Sequence, residues 1–453
     1  MTNPNKRSSF TKALHYVSLD HIPGPRGLKY LKYVKHFQNN ILGAFTQVNR
    51  EYKDIASFPW PMNSIIIYSP EFAKSVLVDH NKSYIKGEQI EELRAIVGNG
   101  LATNNNYESW LKSRALLARE FNNKSVATFI QQFDSMSKEK FLQWENLKAP
   151  IDICEEMKFL TFEIACATLL GVNLSEEDAT KVNEAVRFTS IVTYERIFQV
   201  FPVPYWLPTP TNFKFNKSFN DLNDIVMRLI NKERKNTNPA GRSVLEKLVH
   251  AKDPDTNFAF NDDELRDEVL TMMLAGHETS AHTLTWIFGL LAKHPEVQEK
   301  LYNEILLSEN ADNIPYLKLV MNEAMRLYPA FPVLSRKTAV DCQLGDYKIP
   351  KNTNVVIPIY VMQRHADNWE RSSEFIPERF NDPLAEKSYA FMPFSRGPRR
   401  CIAELFAMTE MSIIVVNLLK LYRIELVDNI LPEEVAFVSL KPVDGMKLKL
   451  FRR

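Results

Sequence analysis

The segment Phe391-Met392-Pro393-Phe394-Ser395-Arg396-Gly397-Pro398-Arg399-Arg400-Cys401-Ile402-Ala403 sets one thiol directly behind three arginines. Gly397 and Pro398 favour a turn. From Ile402 an apolar helical pattern (Leu405, Met408, Met411, Ile414, Val415, Leu418) runs to Tyr422. Cys401 is therefore expected at a helix start, where free backbone N–H groups and the charges of Arg396, Arg399 and Arg400 favour thiolate over thiol. A thiolate is a ligand for iron. On these residues alone the other reading is a turn carrying an inert buried cysteine.

Three further groups have spacings that carry chemistry. Ala275-Gly276-His277-Glu278-Thr279-Ser280 puts an acid beside an alcohol. Gly276 in a helix interior costs about 1 kcal/mol relative to alanine, which asks for a reason. Thr279 can bond back to the carbonyl of Ala275 and bend the helix there; a plain packing glycine and a self-bonded hydroxyl are the ordinary alternatives. His277 and His282 resemble a zinc-protease helix at first sight, but that motif spaces its histidines at i,i+4. Here they are five apart, about 140° around a helix, a poor geometry for one shared zinc. Glu323 and Arg326 stand at i,i+3, within reach of one another, and are followed by Leu327-Tyr328-Pro329 and later Pro377-Glu378-Arg379-Phe380. Trp110 and Arg114 share a helix face and, taken alone, read as a helix docking its tryptophan in the core.

The Cys401 segment resembles the haem-ligand loop Phe-x-x-Gly-x-Arg-x-Cys-x-Gly of the cytochrome P450 family, in register at Phe394, Gly397, Arg399 and Cys401, with Ala403 where the family has its last glycine. Ala275–Ser280 resembles the family's Ala-Gly-x-Asp/Glu-Thr-Thr/Ser motif, Glu323-x-x-Arg326 with Arg379 its Glu-x-x-Arg helix and partner arginine, and Ile22-Pro23-Gly24-Pro25 the turn that opens its catalytic domain. These motifs run in family order, so the resemblance spans nearly the whole chain. It implies a mainly α protein with a small β region, the triangular cytochrome P450 fold, with haem b (iron protoporphyrin IX) between the long helix and the Cys401 loop. Cys401 would be the iron ligand, with Phe394 beside its sulfur. Arg399, Trp110, Arg114 and Arg336 would serve the two propionates, a task that suits arginine. Ala275 and Gly276 would lie against the cofactor, Thr279 would hold the distal hydrogen bond and Glu278 would bring protons from solvent. Glu323, Arg326 and Arg379 would form a buried structural network.

The implied activity is insertion of one oxygen atom of O2 into a C–H bond of a small organic substrate, the other atom leaving as water; thiolate ligation favours the O–O cleavage this needs. Hydroxylation is the default outcome, and oxidative O-demethylation follows where the attacked carbon bears an ether oxygen. Fatty acids, terpenoids and methylated sugars all remain open as substrates. The resemblance places the pocket along Lys86 to Asn99, Phe188 to Pro204, Ala275, Thr279, and Ala330 to Leu334. The rivals are a peroxide-driven hydroxylase, expected to lack the Glu278–Thr279 pair, a non-catalytic haem-binding protein, and a helical interaction protein without cofactor. From Cys401 to Arg453 there is too little chain for a flavin reductase domain. Electrons are therefore expected from a separate ferredoxin or flavodoxin with its NAD(P)H-dependent reductase, docking on a basic patch at Arg396 and Arg400.

These side chains need a frame. Asn261 and Glu264 predict a capping box, with Asp262 and Asp263 at the positive end of a helix reaching His294, where Pro295 follows. Such a helix spans about 50 Å, and its apolar middle predicts burial. The prolines of Pro202 to Pro210 exclude helix interior and predict a connector. Ser64–Tyr68 and Asn354–Ile359 have strand composition. The 453 residues, 45% hydrophobic and 25% charged with 13 glycines, suit a large, mainly helical core. A formal net charge of +1 gives no general attraction for nucleic acid. Cys154, Cys166, Cys342 and Cys401 contain no C-x-x-C pair. No apolar run suits a signal or a membrane span, so residues 1–22 are expected to be a polar leader to one catalytic domain over 23–453, in the cytoplasm and away from membranes.

Overall fold

The structure, a computed structural model, describes residues 17–147, 149–172, 176–197, 203–308 and 314–453. The start of the expected leader, 1–16, and part of the expected pocket tract, 198–202, lie outside the described residues. The principal helices are α1 (Gly27–Asn39), α2 (Ile41–Tyr52), α3 (Glu88–Val97), α4 (Tyr107–Ala118), α5 (Ile130–Leu142), α6 (Ile153–Ala165), α7 (Glu176–Ile197), α8 (Pro210–Arg234), α9 (Asp262–Lys293), α10 (Pro295–Leu307), α11 (Pro315–Leu327) and α12 (Glu404–Leu421). The strands used below are β1 (Ile55–Phe58), β2 (Ser64–Ile67), β3 (Tyr84–Lys86), β4 (Ile151–Asp152), β5 (Leu334–Thr338), β6 (Asn354–Ile357), β7 (Tyr422–Leu426) and β8 (Lys447–Arg452).

The long helix α9 begins where its sequence said. Asn261 Oδ1 accepts the Glu264 N–H at 2.9 Å, and Glu264 Oε2 accepts the Asn261 N–H at 3.0 Å, a complete capping box. At the other end His294 closes the helix before Pro295. From Ser280 to Ala292 every side chain is buried, because α9 runs between α6 on one side and α12 and α8 on others. A helix apolar on all sides is one surrounded by others.

Phe133, Phe141, Leu160, Leu284, Phe288 and Leu418 belong to the large core built around α9. A five-stranded sheet in the order β1-β2-β6-β5-β3 carries a second core against Ile22, Leu77 and Met362. β2 and β6 run parallel, with Ile65 opposite Val355, and β5 is antiparallel to both β6 and β3. A smaller sheet, β4-β8-β7, ties the chain's C-terminal end to α6. Val17, Leu19 and Ile22 are buried in the sheet-side core, so the packed chain reaches upstream of residue 23. The proline connector over 203–209 is turns and bends, and Pro210 takes the first turn of α8.

Candidate functional site

The Cys401 loop is a backbone construction first. Cys401 N–H donates to Phe394 O at 2.9 Å and Arg400 N–H to Gly397 O at 3.0 Å. Ser395 (φ 61°) and Gly397 (φ 75°) are left-handed. At Gly397 a Cβ would stand 2.0 Å from Leu77 O, so only glycine lets the loop press against that segment. Beyond Cys401 two turn residues lead into α12, and the Ala403 N–H reaches the sulfur. Cys401 is solvent-accessible, facing a cleft of about 720 Å³ that opens to the surface. Arg114, Phe394, Arg400, Leu405 and Met408 line this cleft too.

Here the sequence expectation needs correcting. Burial pushes the Cys401 thiol up to about 11, and the Ala403 N–H, Arg114 and Arg400 only partly offset it. The arginines crowd the sulfur less than their spacing suggests. Arg396 turns to the carbonyls of Glu386, Ser388 and Phe391, Arg400 pairs with Glu404, and Arg399 reaches Asn104 O at 3.0 Å. A metal coordinated by this thiol would deprotonate it outright, which these neighbours do not.

Arg399 belongs to a second group. Its guanidinium stacks 4.5 Å from the ring centroid of Trp110, with Arg114 at 5.7 Å from the same ring. Trp110 is buried, packed from α4. Arg336 on β5 lies alongside Arg399, and burial lowers each to about 10. Lys86, at the end of β3, is held well below its ordinary value by burial and by Arg336, Arg399 and Arg114. The sequence named Lys86 only as the start of the expected pocket tract; the β3–β5 register, Lys86 opposite Arg336, is what brings it into the cation cluster. Arg336 and Arg399 donate to the carbonyls of Ser335 and Asn104, Arg114 and Arg399 lie over Trp110, and among the described residues none of the four cations has a salt bridge to a carboxylate. Burying like charges without counter-ions is costly. A group bearing two carboxylates fits the cluster, and Cys401 stands beside it through Arg114.

On α9, Thr279 Oγ1 donates to Ala275 O at 2.7 Å, as its spacing allowed. Ala275 is exposed although it lies mid-helix in a buried element, so it borders open internal space. Gly276 admits the Leu169 side chain, 3.3 Å from where its Cβ would be. Glu278 is raised by burial, with Lys158 and Lys441 facing it. His277 sits edge-on to Phe162, while His282 Nδ1 meets Ser439 Oγ at 2.7 Å. They point to different neighbours, and no cluster of three metal-ligating side chains occurs among the described residues.

The acid–arginine network is closed. Glu323 meets Arg326 at 2.7 and 2.9 Å and Arg379 Nε at 2.9 Å, and accepts the Ile376 N–H at 2.9 Å. The spare Arg326 donors go to the carbonyls of Gln363, Ser372 and Glu374. Both Glu323 and Arg326 are fully buried.

A family model described as Cytochrome P450 matches residues 22–449. The chain is 29% identical to pentalenene oxygenase of Streptomyces avermitilis, over 87% of this chain and 89% of that protein. It is 26% identical to cyclooctat-9-en-7-ol 5-monooxygenase of Streptomyces melanosporofaciens, over 80% and 81%. With the bifunctional cytochrome P450/NADPH–P450 reductase 2 of Bacillus subtilis it shares 26% identity, over 88% of this chain and 40% of that protein.

Proposed function

The chain belongs to the cytochrome P450 family, and from that premise we propose how its residues perform the family's reaction. It is a haem b-dependent monooxygenase with the mainly α fold of that family. We assign Cys401 as the iron's thiolate ligand, and Lys86, Arg114, Arg336 and Arg399 with Trp110 as the cradle of the propionates. The observation that carries this reading is the buried cation cluster beside Cys401, which lacks a protein counter-ion among the described residues. When bound, haem activates dioxygen for insertion into a C–H bond, consuming two electrons and two protons and releasing water.

The chain's own part is to orient, shield and supply protons. Phe394 O fixes the Cys401 loop through the Cys401 N–H. The Thr279 hydroxyl, parked on Ala275 O, presents a hydrogen-bonding group beside the open space at Ala275. Glu278, its proton affinity raised by burial, relays protons from the side where Lys158 and Lys441 stand. Ala275 keeps that face of α9 free of side-chain bulk, while Gly276 makes room for Leu169. Glu323, Arg326 and Arg379 hold the support beneath.

We place one catalytic domain over 23–453, with 17–22 packed onto it, and the protein in the cytoplasm. Among the described residues no helix is long and apolar enough to cross a membrane. Electrons come from a separate ferredoxin or flavodoxin and its NAD(P)H-dependent reductase, docking by Arg396 and Arg400. The product is an alcohol, or a demethylated oxygen where the carbon bears an ether. Pentalenene and cyclooctat-9-en-7-ol, for which two relatives are named, are the first compounds to try as substrates.

The test is spectroscopic. Protein made with ample haem supply should show the thiolate-type Soret band when reduced under carbon monoxide, and Cys401→Ala should lose it. Colourless wild-type protein, or an unchanged band in Cys401→Ala, overturns the assignment. Turnover with NADH and ferredoxin components, but not with peroxide alone, supports the electron source proposed.

A further inference from the structure

Two buried acids on α9, Asp267 and Glu268, take no part in the scheme above. Asp267 Oδ2 accepts the Asn99 N–H at 2.7 Å, and Glu268 Oε2 accepts the Leu101 N–H at 2.9 Å. The loop lies this close only because of its glycines. A Cβ on Gly98 (φ 54°) would stand 2.2 Å from the Asp267 carboxylate, and one on Gly100 2.0 Å from Thr271 Oγ1. Thr103 Oγ1 closes the loop on Gly98 O at 2.8 Å.

The loop is also fastened at both ends. Its Gly98 N–H bonds to Arg94 O at 3.0 Å, and Arg94 Nη2 donates to Thr103 O at 2.7 Å, so α3 is tied to it. Downstream, Asn104 O accepts from Arg399, and Asn105 Oδ1 accepts the Lys86 N–H at 2.8 Å. Glu268 and Ala275 are seven residues apart, two turns on the same helix face, about 10 Å along the axis. Leu101 is thus held on the face of α9 that opens at Ala275, and α3 packs against α9, α7 and β5 around it.

We propose that Asp267 and Glu268 are positioning residues that fix Leu101 and α3 as one wall of the substrate space beside Ala275 and Thr279, and so limit the size of molecule that fits there. This rests on the reading of that space as the substrate side of the haem. Burial also pushes Glu268 up to about 8 and raises Asp267. The groups facing Glu268 are the Leu101 N–H and Ser113, with Asp267 and Glu264 from its own helix, while Arg266 pairs with Asp267 at 2.6 Å. As Glu268 ionises through that range it becomes a stronger acceptor for the Leu101 N–H and a like charge beside Asp267, so the clamp's hold on the loop changes with pH.

The experiment uses haem-loaded protein and two iron-coordinating probes of different reach, imidazole and 4-phenylimidazole, followed by the Soret shift. Glu268→Ala is expected to change 4-phenylimidazole affinity about tenfold while imidazole stays within about twofold, the scale of one lost buried hydrogen bond. Glu268→Gln keeps a carbonyl acceptor for the Leu101 N–H and should keep the wild-type ratio. In wild type the ratio should drift above pH ~8, and in Glu268→Gln it should not. Leu101→Ala alters the wall directly and decides the matter should Glu268→Ala fail to fold. Parallel shifts of both probes, or an unmoved ratio in the alanine variants, overturn the clamp. Wild-type protein without a thiolate-type spectrum would instead overturn the underlying haem assignment.

Discussion

Two groups of buried arginines in this molecule are treated in opposite ways. Around Glu323, every donor of Arg326 finds a carboxylate or carbonyl oxygen, and Arg379 closes the set. Around Trp110, the cations Lys86, Arg114, Arg336 and Arg399 gather, and the three arginines lower the proton affinity of Lys86. The closed group needs nothing from outside and reads as scaffold. The open group lacks such matching within the chain, and on the proposed reading a bound dianion supplies it. Burial alone does not separate structure from function; whether the buried charge is matched within the chain does.

The contrast can be broken by mutation. Glu323→Ala strands two buried guanidinium groups, and is expected to cost about 3–5 kcal/mol in denaturant unfolding, with or without haem. Arg336→Leu should do something different in the two states. Cofactor-free protein should gain or hold stability, because a repulsive buried charge is gone. The haem-loaded form should lose roughly 1–3 kcal/mol, seen as faster haem release to apomyoglobin. Equal losses in both states would show that the cluster is satisfied within the protein.

The pH dependence follows from the same inequality. Lys86 is held below its ordinary value in the folded chain, so between that value and the ordinary one the unfolded chain binds more protons. Cofactor-free stability should therefore rise with pH across that window, by at most ~1.4 kcal/mol per unit from this one group. Haem should flatten the slope, and Lys86→Met should remove it. The smallest effect is expected at Arg400, whose pairing with Glu404 is open to solvent. Arg400→Ala should change stability by under ~1 kcal/mol, while slowing reduction by a ferredoxin at low salt more than at high salt.

Much of this was legible in the chain itself. The capping box at Asn261 and Glu264, the Thr279 bond to Ala275 and the Glu323–Arg326 pair all rest on contacts within one helix, where spacing fixes geometry. The same locality let Gly397 and Pro398 announce the Cys401 turn. The place of Lys86 among the buried cations was invisible because β3 and β5 meet across some 250 residues of chain, and the clamp at Asp267 and Glu268 was invisible because its donors lie on another element.

The sequence determined the order of the motifs, the ends of the long helix and the types of residue present at each station. Only the tertiary structure decided which charges are matched. It turned Arg396 to backbone carbonyls and paired Arg400 with Glu404, gathered Lys86 with three arginines, and let burial outweigh the cations that were expected to make Cys401 a thiolate. The physical reason is that desolvation and Coulomb energies depend on distances between distant parts of the chain, which no spacing along it encodes.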